Sequence, residues 1–123
     1  MQPRVLIVND EADLLEACSL ILQSAGYTVE TLLEGPKTAE QVARFAPDVL
    51  LLDWVLGKTK GEHVLRELRG RFGSSFSIVV MSALPDLRRR ALDLGADDFL
   101  QKPFDDERLL SIVDAHVKRR HTA

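Results

Sequence analysis

The chain has 123 residues, of which 46% are hydrophobic and 28% charged, with a formal net charge of -3. These values suit one globular domain over residues 1–123 with a real apolar core, and they exclude a strongly basic nucleic-acid or anionic-membrane binder. No apolar run approaches the ~20 residues of a membrane span, no basic start leads into a signal-like apolar stretch, and the single Cys18 has no internal disulfide partner, so a cytoplasmic protein without membrane contact is expected.

Val5–Val8 is a short apolar run that reads as a first strand, and it ends on Asn9-Asp10-Glu11. Asp10 or Glu11 opens a helix, where acids suit the positive end of the dipole. Leu14, Leu15, Cys18, Ile21, Leu22 and Ala25 follow at helical spacing, and Gly26 stops that helix. The stretch from Tyr27 to Leu33 holds a second, less hydrophobic strand of edge character. Gly35-Pro36 restarts the chain into a second helix with an apolar face of Ala39, Val42, Ala43 and Phe45, which stops before Pro47.

A third strand runs through Val49-Leu50-Leu51-Leu52 and ends abruptly on Asp53. Four apolar residues without alternation describe a strand buried on both faces. Trp54 to Lys60 reads as a loop, and Gly61 leads into a third helix with Val64, Leu65, Leu68 and Phe72 inward. Gly73-Ser74-Ser75 breaks it. A fourth strand, Ile78–Met81, ends on Ser82. Pro85 opens a fourth helix that presents Leu87, Ala91 and Leu94 on one side and Arg88-Arg89-Arg90 on the other, until Gly95. Asp98–Leu100 is a very short fifth strand. After Lys102-Pro103-Phe104, Asp105 caps a last helix patterned by Leu109, Leu110, Ile112, Val113 and Val117. Residues 118–123 form a basic tail. Strict alternation of strand and helix predicts a parallel sheet covered on both faces.

Asn9, Asp10, Asp53, Ser82 and Lys102 each fall at or just past a strand end, the edge where ligands bind in open α/β sheets. Two adjacent carboxylates repel unless a cation intervenes. A hard divalent ion with oxygen ligands answers this need, a lysine ammonium pairs with the same anions, and a serine hydroxyl donates to a phosphoryl oxygen. The set suits a carboxylate that accepts a phosphoryl group. Taken singly, each residue has a plainer reading: Asp53 as a turn cap, Ser82 as a turn residue, Lys102 as a surface lysine.

Val5-Leu6-Ile7-Val8-Asn9-Asp10-Glu11, Pro47 to Asp53, Met81-Ser82-Ala83 and Leu94-Gly95-Ala96-Asp97-Asp98-Phe99-Leu100-Gln101-Lys102-Pro103-Phe104 occur in this order. In order and spacing the chain resembles the receiver domain of bacterial two-component response regulators, over roughly residues 4 to 117. The resemblance implies a flavodoxin-like (βα)5 three-layer α/β sandwich whose five-stranded parallel sheet has the order 2-1-3-4-5. It implies Asp53 as phosphoacceptor and Mg²⁺ (or Mn²⁺) held by Asp10, Asp53 and the Val55 backbone carbonyl, with Asn9 facing the ion through water. Ser82 and Lys102 are implied as phosphoryl contacts, Lys102-Pro103 as a cis peptide, and Phe99 as a switch aromatic that turns inward when Ser82 moves. The implied partners are a sensor histidine kinase or phosphotransfer protein. A second copy is expected through the face of helix four, strand five and helix five, which also carries the output; nucleic acid is not bound by this domain directly. The domain is expected to signal, with self-phosphotransfer and autodephosphorylation as its only catalysis.

Departures from the family pattern are specific. Asn9 stands where the family has a first acid, so weaker metal binding is expected. Gly57-Lys58-Thr59-Lys60 replaces a Pro-Gly loop and adds two cations. Val55 and Leu84 are apolar where a group that positions water would sit, so a slowly decaying phospho-form is expected. The segment from Ser82 to Phe99 is shorter than usual by about two residues in this register. These changes leave open a pseudo-receiver that binds partners without phosphorylation. An aspartyl-phosphate hydrolase would need an acid at Val55, and a flavin site would need a phosphate-binding loop after strand one.

Overall fold

The sheet carries the apolar runs as five parallel strands. In the computed structural model, which describes residues 2–121, the elements are β1 (Arg4–Val8), α1 (Ala12–Ser24), β2 (Thr28–Leu32), α2 (Thr38–Phe45), β3 (Val49–Asp53), β4 (Val55–Leu56), β5 (Thr59–Lys60), α3 (Gly61–Phe72), β6 (Ser77–Ser82), α4 (Leu87–Asp93), β7 (Asp98–Gln101) and α5 (Asp106–His121). The sheet order is β2-β1-β3-β6-β7, with β4 and β5 forming a separate antiparallel pair. Setting that hairpin aside, this is the expected 2-1-3-4-5 order.

The two faces of the sheet separate by residue parity. Leu6, Val8, Leu50, Leu52, Ile78, Val80 and Phe99 pack with α2, α3 and α4 through Val42, Leu65, Leu68 and Ala91. Val5, Ile7, Val49, Leu51, Val79, Met81 and Leu100 pack with α1 and α5 through Leu15, Leu22, Leu109 and Val113. Both phases of each central strand are therefore apolar, which is why β3 and β6 show no alternation. β2 is the edge strand and only partly buried, as its composition suggests.

Several local readings change. Trp54 to Lys60 is largely a hairpin: Val55 pairs with Lys60 and Leu56 with Thr59, around a two-residue loop whose first residue, Gly57, has φ +60°. Glycine at the first central position is what a type II′ turn requires. α2 starts at Thr38, after a turn in which Thr38 N–H donates to the Gly35 carbonyl, so Pro36 precedes the helix. Its buried face is Thr38, Ala39, Val42 and Phe45, and Ala43 is exposed. α4 begins two residues after Pro85. Residues 118–121 of the expected tail continue α5, where Arg120 donates to Ser77 Oγ at 3.1 Å and to the Ser74 carbonyl at 2.6 Å; residues 122 and 123 lie outside the described residues. Asp105 caps α5 as expected, accepting Arg108 N–H at 2.8 Å.

Candidate functional site

Parallel register brings the strand ends to one edge. Val8 pairs with Leu52, Asp53 with Met81, and Ser82 with Gln101. Asn9, Asp53, Ser82 and Lys102 thus leave the sheet side by side. The chain departs to opposite sides of β1, toward β2 and toward β3, and such a reversal opens a crevice at the carboxyl ends of the strands.

Asp53 is 3% exposed. Its Oδ2 accepts a 2.8 Å hydrogen bond from Lys102 Nζ, and its Oδ1 lies a weak 3.4 Å from Val55 N–H. Asp10 is exposed and its Oδ2 accepts Gly57 N–H at 2.9 Å, which ties the hairpin to β1. Glu11, also exposed, places Oε1 3.9 Å from Lys102 Nζ. One carboxylate oxygen from each of Asp10, Glu11 and Asp53 lies within 4.8 Å of the others. Asn9 is fully buried; its Oδ1 accepts Glu11 N–H at 2.9 Å, while its Nδ2 has no partner among the described residues. Ser82 is buried, and its Oγ accepts Leu84 N–H at 3.1 Å, which leaves its proton free to donate. Its backbone carbonyl accepts Lys102 N–H at 2.9 Å, and the Lys102-Pro103 peptide is cis.

The charge balance favours a cation. Three carboxylates and one ammonium sum to a formal -2. With these oxygens within 4.8 Å of one another, each carboxylate pair repels by at least about 1 kcal/mol in water-like surroundings and about 3.5 kcal/mol at an effective dielectric of ~20. Oxygens gathered this closely would suit a hard divalent ion such as Mg²⁺. The all-oxygen donor set fits such an ion, and receiver domains bind Mg²⁺ in a pocket of this kind.

Around this centre, Phe99 is 3% exposed and packs inward on the α2–α4 side of the sheet. It also borders a cavity between α4 and α5 that Pro85, Arg88, Gln101 and Arg108 line. Val55 and Leu84 are 61% and 59% exposed. Two features escape sequence reading. Glu11 joins the carboxylates because the bond from its N–H to Asn9 fixes the backbone at the start of α1. His116, to which the sequence assigns nothing, is buried with Nε2 2.9 Å from Asp98 Oδ2; its place in the buried phase of α5 was the available signal.

A family model described as "Response regulator receiver domain" matches residues 5–114. The chain is 37% identical over 121 residues to the response regulator MprA of Mycobacterium ulcerans (strain Agy99), an alignment that covers 97% of this chain and 52% of that protein. It is 33% identical over 120 residues to the DNA-binding dual master transcriptional regulator RpaA of Synechocystis, covering 95% of this chain and 50% of that protein. Among solved structures, the chemotaxis response regulator CheY4 of Vibrio cholerae superposes with a TM-score of 0.86 at 26% identity, over 94% of this chain and 99% of that one. The chain spans about half the length of the curated relatives it matches.

Proposed function

From the premise that this chain belongs to the response regulator receiver domain family, we propose that Asp53 is its phosphoacceptor and that phosphorylation there switches the face formed by α4, β7 and α5. Receiver domains are signalling domains that take a phosphoryl group from a kinase or another phosphodonor; here the donor is a phosphohistidine on a sensor kinase or phosphotransfer protein. The observation that carries the reading is the buried Asp53 carboxylate at a strand end, hydrogen-bonded to Lys102 at 2.8 Å beside the Asp10 and Glu11 carboxylates.

In the transfer, an Asp53 oxygen forms a bond to phosphorus as the bond from phosphorus to the donor nitrogen breaks. The imidazole leaves with that electron pair and is protonated from solvent. Lys102, already on Asp53 Oδ2, neutralises charge on the transferring group. Ser82 contributes its unused hydroxyl proton to a phosphoryl oxygen and shifts toward it. Asp10, Asp53 and the Val55 carbonyl would hold Mg²⁺ or Mn²⁺, with Asn9 facing the ion through water. When bound, the ion supplies Lewis-acid charge stabilisation. Phe99, buried beside the output face, is the aromatic through which the movement of Ser82 reaches that face, where effectors or a second copy dock. The bias depends on contacts made only in the phosphorylated state. Val55 and Leu84 offer no side-chain group to orient an attacking water, which supports a slowly decaying phospho-form.

Incubation with acetyl phosphate and Mg²⁺, read by intact mass, tests the assignment. A gain of one phosphoryl group is expected in the native chain, lost in Asp53→Asn and on chelation of the metal. A gain that survives Asp53→Asn refutes the assignment, and no gain at all leaves a partner-binding module without phosphorylation.

A further inference from the structure

The hairpin β4–β5 is held at both ends by the acids of the site. Val55 N–H points to Asp53 Oδ1 at 3.4 Å, and Gly57 N–H binds Asp10 Oδ2 at 2.9 Å. Directly opposed residues of an antiparallel pair share a face, with Cβ atoms about 4.5–5.5 Å apart. Leu56 and Thr59 form the inward pair: Leu56 is buried, and a Cβ built on Gly35 would lie 2.8 Å from the Thr59 Cγ2 methyl. Val55 and Lys60 form the outward pair, and both are exposed. Lys60 therefore stands across from the residue whose N–H reaches the Asp53 carboxylate. Lys58 directly follows the glycine bound to Asp10 and is exposed as well. Neither lysine has an ion-pair partner among the described residues. Lys102, by contrast, is committed to Asp53 and Glu11. The three carboxylates and Lys102 sum to a formal -2, which a bound divalent cation would bring to zero, so the two rim lysines are the uncompensated charges that an incoming phosphoryl dianion meets.

We propose that this hairpin is an anion-capturing arm, in which Lys58 and Lys60 draw the phosphoryl dianion of the phosphodonor to the mouth of the Asp53 pocket. The inference rests on Asp53 being the phosphoacceptor. Two unpaired cations at the rim of a metal-neutralised pocket leave a net positive field there and raise the local concentration of the donor. The chemistry recognised is the phosphoryl group, whether a phosphohistidine or a small acyl phosphate carries it. Acetyl phosphate isolates the second source, because it brings no protein surface. An Asp53 oxygen bonds to its phosphorus while the bond from phosphorus to the acetate oxygen breaks, and acetate leaves with that electron pair.

The test compares second-order phosphorylation rates of the native chain and the Lys58→Gln/Lys60→Gln variant with acetyl phosphate and Mg²⁺ by intact mass. Circular dichroism confirms that each variant is folded, and Lys118→Gln on α5 serves as a charge control. A three- to tenfold loss of rate is expected at roughly 0.05 M ionic strength, shrinking to none near 1 M, where the Debye length is ~3 Å. Lys60→Glu is expected to be slower than Lys60→Gln at low salt, and Lys118→Gln to match the native rate. Equal rates at low salt, or a gap that persists undiminished at 1 M, would overturn the arm. Failure of the native chain to become phosphorylated would instead overturn the phosphoacceptor assignment.

Discussion

Two glycines on one helix should respond to alanine with opposite signs. Gly61 is the first residue of α3, and a Cβ there would lie 2.7 Å from both Cα and O of Trp54 and 2.8 Å from the Asp53 carbonyl oxygen. All three neighbours are backbone, so no side chain can rotate away. Gly61 N–H also donates to the Trp54 carbonyl at 2.8 Å. Accommodating the methyl group forces the chain just past Asp53 to retreat by about half an ångström, an overpacking that typically costs about 1–3 kcal/mol. Weakening the hydrogen bond adds about 1 kcal/mol, and the better helix propensity of alanine returns roughly 0.5–1 kcal/mol. The net expectation for Gly61→Ala is a loss of about 1–3.5 kcal/mol, with weaker metal binding because the Asp53 backbone moves. Gly70, nine positions on in the same helix, has no atom within 4 Å of such a Cβ and is exposed. Gly70→Ala should therefore gain about 0.5–1 kcal/mol. Urea denaturation with unchanged m-values measures both. Two changes of the same sign, or a Gly61→Ala variant within 0.5 kcal/mol of the native chain by the ordinary scatter of surface substitutions, about that size, would refute the close-approach reasoning.

Tyr27 gives a pH signature. Its hydroxyl is pushed up to about 12, first by burial and then by the hydrogen bond to Asp114. A raised pKa means the neutral form is favoured in the fold, so its stabilisation is complete below pH 10 and is lost as pH rises from 10 toward about 12. Tyr27→Phe should be less stable by about 1 kcal/mol at neutral pH, yet show a flatter decline across that alkaline window in pH-dependent urea melts. Ala46 holds a left-handed conformation, φ 52° and ψ 64°, at the end of α2, and Pro47 bars the helical region at this position. Ala46→Gly should stabilise by about 0.5–1 kcal/mol by releasing that strain; a destabilised variant in the same melts would show that the side chain contributes packing that outweighs it.

The sequence alone determined what depends on local pattern. Unbroken runs such as Val49–Leu52 and Ile78–Met81 announce strands with two covered faces, and alternation with amphipathic helices leaves a parallel sheet as the economical solution. Asp53 could be recognised because a carboxylate that ends such a run has no place in the core, and its companions follow at strand ends in a readable order. What only the tertiary structure decided depends on register and on groups far apart in the chain. The hairpin at Val55–Lys60 was hidden because two-residue strands are too short for a period to show. The part Glu11 plays needed the Asn9 amide to fix its backbone, and the salt bridge between Arg69 and Asp97, with the bonds of Arg69 to the Gly73, Phe76 and Gly95 carbonyls, joins α3 to the loops that lead into β6 and β7. Lys102 became a partner of Asp53 rather than a surface lysine because β7 lies beside β6, two strands from β3. Periodicity records which face of an element is buried. It carries no record of which elements become neighbours, and that adjacency places the charges around Asp53.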